Sequence, residues 1–148
     1  MANEIIWVYA SQVTLDASGD SGASDTFIAV NDDTLESGVH SNYPWADFVL
    51  RTGFDSDVGA GGFVRLYRQA LNIDTTNDAP VPTVTTYPLV YIGSFVIPTG
   101  AAGSAWDYPL TDVPLIADQQ YWIENKTNQG MEALWTLKAT PKTYKAAT

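Results

Sequence analysis

The sequence predicts an all-β protein, a two-sheet sandwich of jelly-roll-like form with seven to eight strands and extended termini. Three observations predict it. Short runs rich in β-branched and aromatic residues are separated by clusters of Gly, Pro, Asn and Asp. A two-residue apolar period recurs in the later runs. Finally, 148 residues, 45% of them hydrophobic and 16% charged, suit one globular core rather than a disordered chain or two domains. Residues 1–140 are assigned to a single sandwich domain and 141–148 to an extended C-terminal arm.

The elements follow in order. Ile5-Ile6-Trp7-Val8-Tyr9 opens the chain with β-branched and aromatic residues. Asp16 to Asp25 is small, polar and glycine-rich, and reads as a loop without structure of its own. Thr26-Phe27-Ile28-Ala29-Val30 is the next strand, ended by Asn31-Asp32-Asp33. From Ala46 to Thr52, Phe48 and Leu50 fall on one side, with Asp47, Val49 and Arg51 on the other.

The run from Phe63 is ambiguous. Phe63, Leu66, Tyr67, Ala70 and Leu71 fit a helical stripe, while Val64 and Leu66 also alternate with Arg65 and Tyr67. Strand is expected, because its surroundings are extended and no helix cap precedes Phe63. Pro80, Pro82 and Pro88 flank a Thr-rich connection, and Pro98, Pro109 and Pro114 bound short runs near Trp106 and Leu115. Val90 to Ile97 sets Tyr91, Phe95 and Ile97 against Ile92, Ser94 and Val96. Tyr121 and Ile123 oppose Trp122 and Glu124, and Ala133, Trp135, Leu137 and Ala139 alternate with Leu134, Thr136, Lys138 and Thr140.

Composition narrows the function. A net charge of −10 argues against affinity for nucleic acid, which needs a surplus of Lys and Arg. No apolar run approaches the ~20 residues that span a bilayer. Met1-Ala2-Asn3-Glu4 lacks the basic and apolar regions of a secretory signal, so synthesis in a cytoplasm is expected. Without cysteine there are neither disulfides nor thiolate metal sites. Charge is also uneven. Residues 1–63 carry ten acids and one base, Arg51, whereas residues 126–148 carry Lys126, Lys138, Lys142 and Lys145 against Glu132 alone. That polarity suits electrostatic docking between copies or onto a charged partner.

No catalytic group, metal site or cofactor is expected. Gly19-Asp20-Ser21-Gly22 has the form of the nucleophile loop of trypsin-like serine proteases, but the only histidine, His40, follows the serine instead of preceding it. His40 alone cannot build a zinc site without several carboxylates. Asp16, Asp20 and Asp25, or Asn31, Asp32 and Asp33, or Asp55 and Asp57, could each offer oxygens to calcium, yet none fits an EF-hand, and Asp is the ordinary turn residue. Trp7, Trp122 and Trp135 read as core or sheet packing; Trp45 and Trp106, beside prolines, read as exposed.

From Arg65-Leu66-Tyr67-Arg68 through Leu71-Asn72-Ile73-Asp74 and the Thr/Pro connection, the segments then run Val90-Tyr91-Ile92-Gly93-Ser94-Phe95, Tyr121-Trp122-Ile123-Glu124-Asn125 and Leu134-Trp135-Thr136-Leu137-Lys138. With the closing Pro141-Lys142-Thr143-Tyr144, this order resembles the jelly-roll decoration (cement) proteins of tailed phages over roughly residues 60–145. The resemblance implies a non-enzymatic virion protein on the capsid exterior, made in the host cytoplasm. Its implied partners are the major capsid protein, whose subunits it would bridge, and further copies of itself as a dimer or trimer. No functional residue carries over. The charged C-terminal stretch supplies the candidate interaction residues Lys138, Lys142, Tyr144 and Lys145. Two other readings fit the same features: a carbohydrate-binding β-sandwich module, and a phage tail or connector component.

Overall fold

The computed structural model describes residues 5–31, 42–70, 90–115 and 119–146. His40, Asp32 and Asp33, the connection with Pro80, Pro82 and Pro88, and Leu71-Asn72-Ile73-Asp74 lie outside the described residues. Nine strands and no helix are described: β1 (Ile5–Tyr9), β2 (Val13–Gly19), β3 (Phe27–Ala29), β4 (Trp45–Thr52), β5 (Phe63–Ala70), β6 (Val90–Val96), β7 (Trp106–Pro114), β8 (Gln119–Asn125) and β9 (Trp135–Ala146). One sheet runs β1-β9-β4-β7, with β2 also pairing β9, and the other runs β3-β8-β5-β6. Every pairing is antiparallel. Successive strands cross between sheets at each step except β1 to β2 and β5 to β6, which is the interleaving of a jelly roll.

The core is what alternation builds between two such sheets. Phe48 and Leu50 of β4 and Trp135, Leu137 and Ala139 of β9 face Val64 and Leu66 of β5 and Tyr121 and Ile123 of β8, all buried. Phe48 meets Tyr121 edge-on across the layers at 5.3 Å between ring centroids. Phe63–Ala70 is a strand and no helix, its alternation buried through Val64 and Leu66. On β6 the expected alternation fails at one place. Leu66 pairs with Gly93 but Tyr67 pairs with Tyr91, so the extra residue Ile92 forms a bulge. Tyr91 is thereby turned from the Phe95 face to the outer face, against Tyr67 at 5.7 Å.

The ninth strand comes from a stretch read as loop. Asp16 to Gly19 belongs to β2, whose register against β9 shifts twice, between Thr14 and Asp16 and between Asp16 and Gly19. Asp16 is buried and accepts from the amides of Ser18 at 2.9 Å and Asn31 at 3.0 Å, so its carboxylate fastens the strand to the start of the next connection. At Gly19 the indole of Trp135 lies flat on the backbone, and a Cβ there would sit 1.9 Å from the ring. Trp135 completes the contact by donating from Nε1 to the Asp20 carbonyl at 2.7 Å.

Most of the stretch expected as a C-terminal arm is strand. Residues 141–146 are the second half of β9, paired residue by residue with β1 from Tyr9↔Lys142 to Ile5↔Ala146. Pairing with β4 stops at Trp45↔Lys142, so beyond that point β9 and β1 continue as a two-stranded ribbon.

Candidate interaction surface

The four residues singled out from the sequence all fall on β9, and alternation divides them. Lys138, Lys142 and Tyr144 share the outer face, while Lys145 points to the opposite one. The registers Trp45↔Lys142 and Trp7↔Tyr144 add Trp45 of β4 and Trp7 of β1 to that outer face.

Lys142 is engaged within the fold. It is only 4% exposed, with Nζ 2.5 Å from Asp47 Oδ1 and 2.6 Å from Asp112 Oδ1. Its ammonium also lies 4.5 Å from the centroid of the Trp7 ring, within cation–π range. Asp112 adopts a left-handed backbone at φ 59° and donates its amide to Asp47 Oδ1 at 3.0 Å. One ammonium therefore ties together β9, β4, β7 and β1. Burial works against its charge, but the hydrogen bonds to Asp112 and Asp47 outweigh that and hold its pKa above the usual lysine value.

Lys126 is engaged likewise. It pairs with Asp25 and lies 3.6 Å from Glu124 Oε1. Its hydrogen bond to Asp25 raises the lysine and lowers the aspartate. Two of the four lysines of the basic stretch 126–148 are thus paired with acids of the same chain, Lys126 with Asp25 and Glu124 and Lys142 with Asp47 and Asp112.

Apolar exposure marks this end of the sheet instead. Ile5 is 74% exposed, Trp7 45%, Tyr9 54% and Tyr144 48%. Ile5, Trp7 and Tyr9 are alternate residues of β1, so they share one face, and Tyr144 stands against Trp7 edge-on at 4.9 Å. Of the two placements expected for Trp7, core or sheet packing, the structure has the second: the ring packs on a neighbouring strand of its own sheet and not in the core. A strand's period says that alternate residues share a face but not whether another layer covers it, and among the described residues no strand of the second sheet pairs with β1. The sequence signal points the other way, since an uninterrupted apolar run such as Ile5–Tyr9 reads as a strand buried on both faces.

A second cluster fastens the other sheet. Glu124 is 2% exposed, and its Oε2 accepts from the Tyr67 hydroxyl at 2.8 Å and from Arg65 at 3.4 Å. Burial, then the neighbouring carboxylate, pushes the Tyr67 hydroxyl up to about 12. With the Lys126 ammonium facing its other oxygen, the carboxylate is held by two donors and a second cation, an arrangement that clamps β5 to β8.

Open clefts also lie among the described residues. Ser21 lines a cleft of about 430 Å³ with Gly22, Asp55, Asn128, Gln129 and Met131, and no histidine is among its lining residues. Trp106, 61% exposed as expected, edges a cleft of about 420 Å³ with Pro98, Ala101 and Tyr108. Trp45, expected to be exposed, is half-buried. Among the described residues no group of three or more His, Cys, Asp or Glu is placed to hold a metal ion. Compared with known proteins, the chain matches no family model, no curated protein and no solved structure.

Proposed function

We propose that this chain is a non-enzymatic structural protein of a phage virion, which decorates the capsid exterior and stabilises it by bridging major capsid subunits. The observation that carries the reading is the ribbon of β1 and the end of β9, where Ile5, Trp7, Tyr9 and Tyr144 offer an apolar surface on a stiff sandwich. Large exposed apolar groups grouped in one place mark contact surfaces between proteins. A rigid body with such a surface works by being held, and many copies on one shell turn modest contacts into firm attachment. The acidic remainder keeps a densely coated particle soluble and repels free DNA. Such a protein acts on the virion after synthesis in the host cytoplasm, and the same surface would serve a tail or connector component.

The test is co-sedimentation of the purified protein with expanded and with unexpanded heads of its phage. Saturable pelleting with expanded heads is the expected result; no pelleting with either would end the capsid reading. A carbohydrate-binding module is the second reading, favoured by the exposed Trp106 beside its cleft, since an indole face can stack on a sugar ring. It predicts retarded migration in gels containing soluble polysaccharide, with the retardation lost in Trp106→Ala.

A further inference from the structure

The edges of the two sheets are not alike. A free edge invites another strand, and proteins usually blunt it with charge, proline, bulges or brevity. β7 carries Pro109 and Pro114 with Asp107 and Asp112, β3 is three residues long, and β2 is broken by two register shifts. β6 leans on β7, where a Cβ on Gly93 would meet Leu110 at 2.8 Å. β1 has none of these protections. Its five residues hold no charge, proline or glycine, its register with β9 is unbroken, and among the described residues no strand pairs with its other side.

The hydrogen-bond phase of that edge can be read. The Ala10 amide donates to the Pro141 carbonyl at 2.8 Å, one step beyond the Tyr9↔Lys142 pair. Hydrogen-bonded pairs alternate along an antiparallel ladder. Val8 and Ile6 therefore bond to β9, and Ile5, Trp7 and Tyr9 direct their backbone N–H and C=O groups outward. These are the residues whose side chains form the apolar face.

We propose that β1 is a pairing edge for a second copy of this chain, joined antiparallel about a twofold axis at Trp7, so that one sheet continues through two molecules. Centring the axis there sets Trp7 opposite its counterpart and Ile5 opposite Tyr9, which satisfies all three outward-facing residues; moving it to either end satisfies fewer. A twofold makes the edge its own complement. Charge leaves this strip open to the same occupant. Copies that each carry −10 repel over most of their surface, and the five uncharged residues of β1 are where that repulsion is least. The pairing rests on the chemistry of the edge; it supplies a surface for self-association in the capsid reading, and its failure would leave head binding standing.

Light scattering on the free protein tests it, with a mass of twice the 16.1 kDa chain expected at about 100 μM. The double variant Ile5→Lys with Tyr9→Lys would set lysine against lysine at both outer pairs, and its dimer dissociation constant should rise at least tenfold. Ile5→Lys with Tyr9→Glu would set opposite charges against each other in this register alone and should restore the dimer. A wild-type chain that is monomeric or trimeric overturns the proposal. So does a lysine–lysine variant that dimerises like the wild type, or a lysine–glutamate variant that stays monomeric. Binding of the lysine–lysine variant to expanded heads reads the capsid reading separately.

Discussion

The two halves of β9 use similar residues and meet different surroundings. From Trp135 to Pro141 the strand lies between β2 and β4, and Trp135, Leu137 and Ala139 are sealed under the second sheet. From Lys142 to Ala146 only β1 accompanies it beyond the last β4 pair, and Tyr144 stays half in water beside Trp7. An indole in the first half fills the core, whereas an indole against the second half covers a lysine and leaves a face open. Placement relative to the opposing layer, not residue type, decides which aromatic stabilises the fold and which is available to a partner.

The largest expected effect lies in the first half. Trp135→Ala removes a ring packed on the Gly19 backbone and the hydrogen bond to the Asp20 carbonyl, so unfolding should become easier by about 3–5 kcal/mol, measured by urea denaturation. A loss no greater than that of an exposed aromatic would erase the contrast between the halves.

Lys142 marks the junction, and its effect should be intermediate. Lys142→Met leaves Asp47 and Asp112 without their cation, but both carboxylates reach water, so the cost should be about 1–2 kcal/mol, below that of a fully buried broken pair. The pH dependence has a definite sign. Because the folded-state pKa of Lys142 is raised, its contribution is fully present below the ordinary lysine value of about 10.4 and is lost as pH climbs through the higher folded value. The gap in melting temperature between wild type and Lys142→Met should be constant from neutral pH to about pH 9 and close at more alkaline pH. A gap unchanged at pH 11 would mean that the lysine acts by packing its stem and not by its charge.

Much of the body was legible in the sequence, because a buried face repeats every two residues whatever lies far away. Phe48 with Leu50, and Trp135 with Leu137 and Ala139, declare their strands and their core face at once. What stayed hidden depends on partners distant in the chain. Asp16 to Gly19 has the composition of a loop, and only the indole of Trp135 makes its glycine a strand residue. Lys142 to Ala146 has too little apolar rhythm to announce a strand, since its partner, Ile5–Tyr9, lies at the other end of the sequence. The four candidate residues were grouped by charge, yet the structure uses Lys142 internally and places apolar groups at the surface beside it. The bulge at Ile92 left one mark in the residue pattern, the isolated Gly93 beside it, which does not say by itself where the register shifts.

The smallest effect is expected in the distal half, where it says most about whether the ribbon opens by itself. Tyr144→Ala deletes the edge-on contact with Trp7, an interaction of about 0.5–1.5 kcal/mol that partial exposure holds near its lower end. Global stability should barely move. Local stability should, because the ribbon has few neighbours, and segments with sparse burial open below the global unfolding free energy. Hydrogen exchange separates the two. The amides of Ile6 and Val8, which bond to β9, should exchange faster in Tyr144→Ala while that of Leu137 keeps its wild-type protection. If all three accelerate together, β9 opens as one unit, and its halves differ in what they touch but not in how firmly they are held.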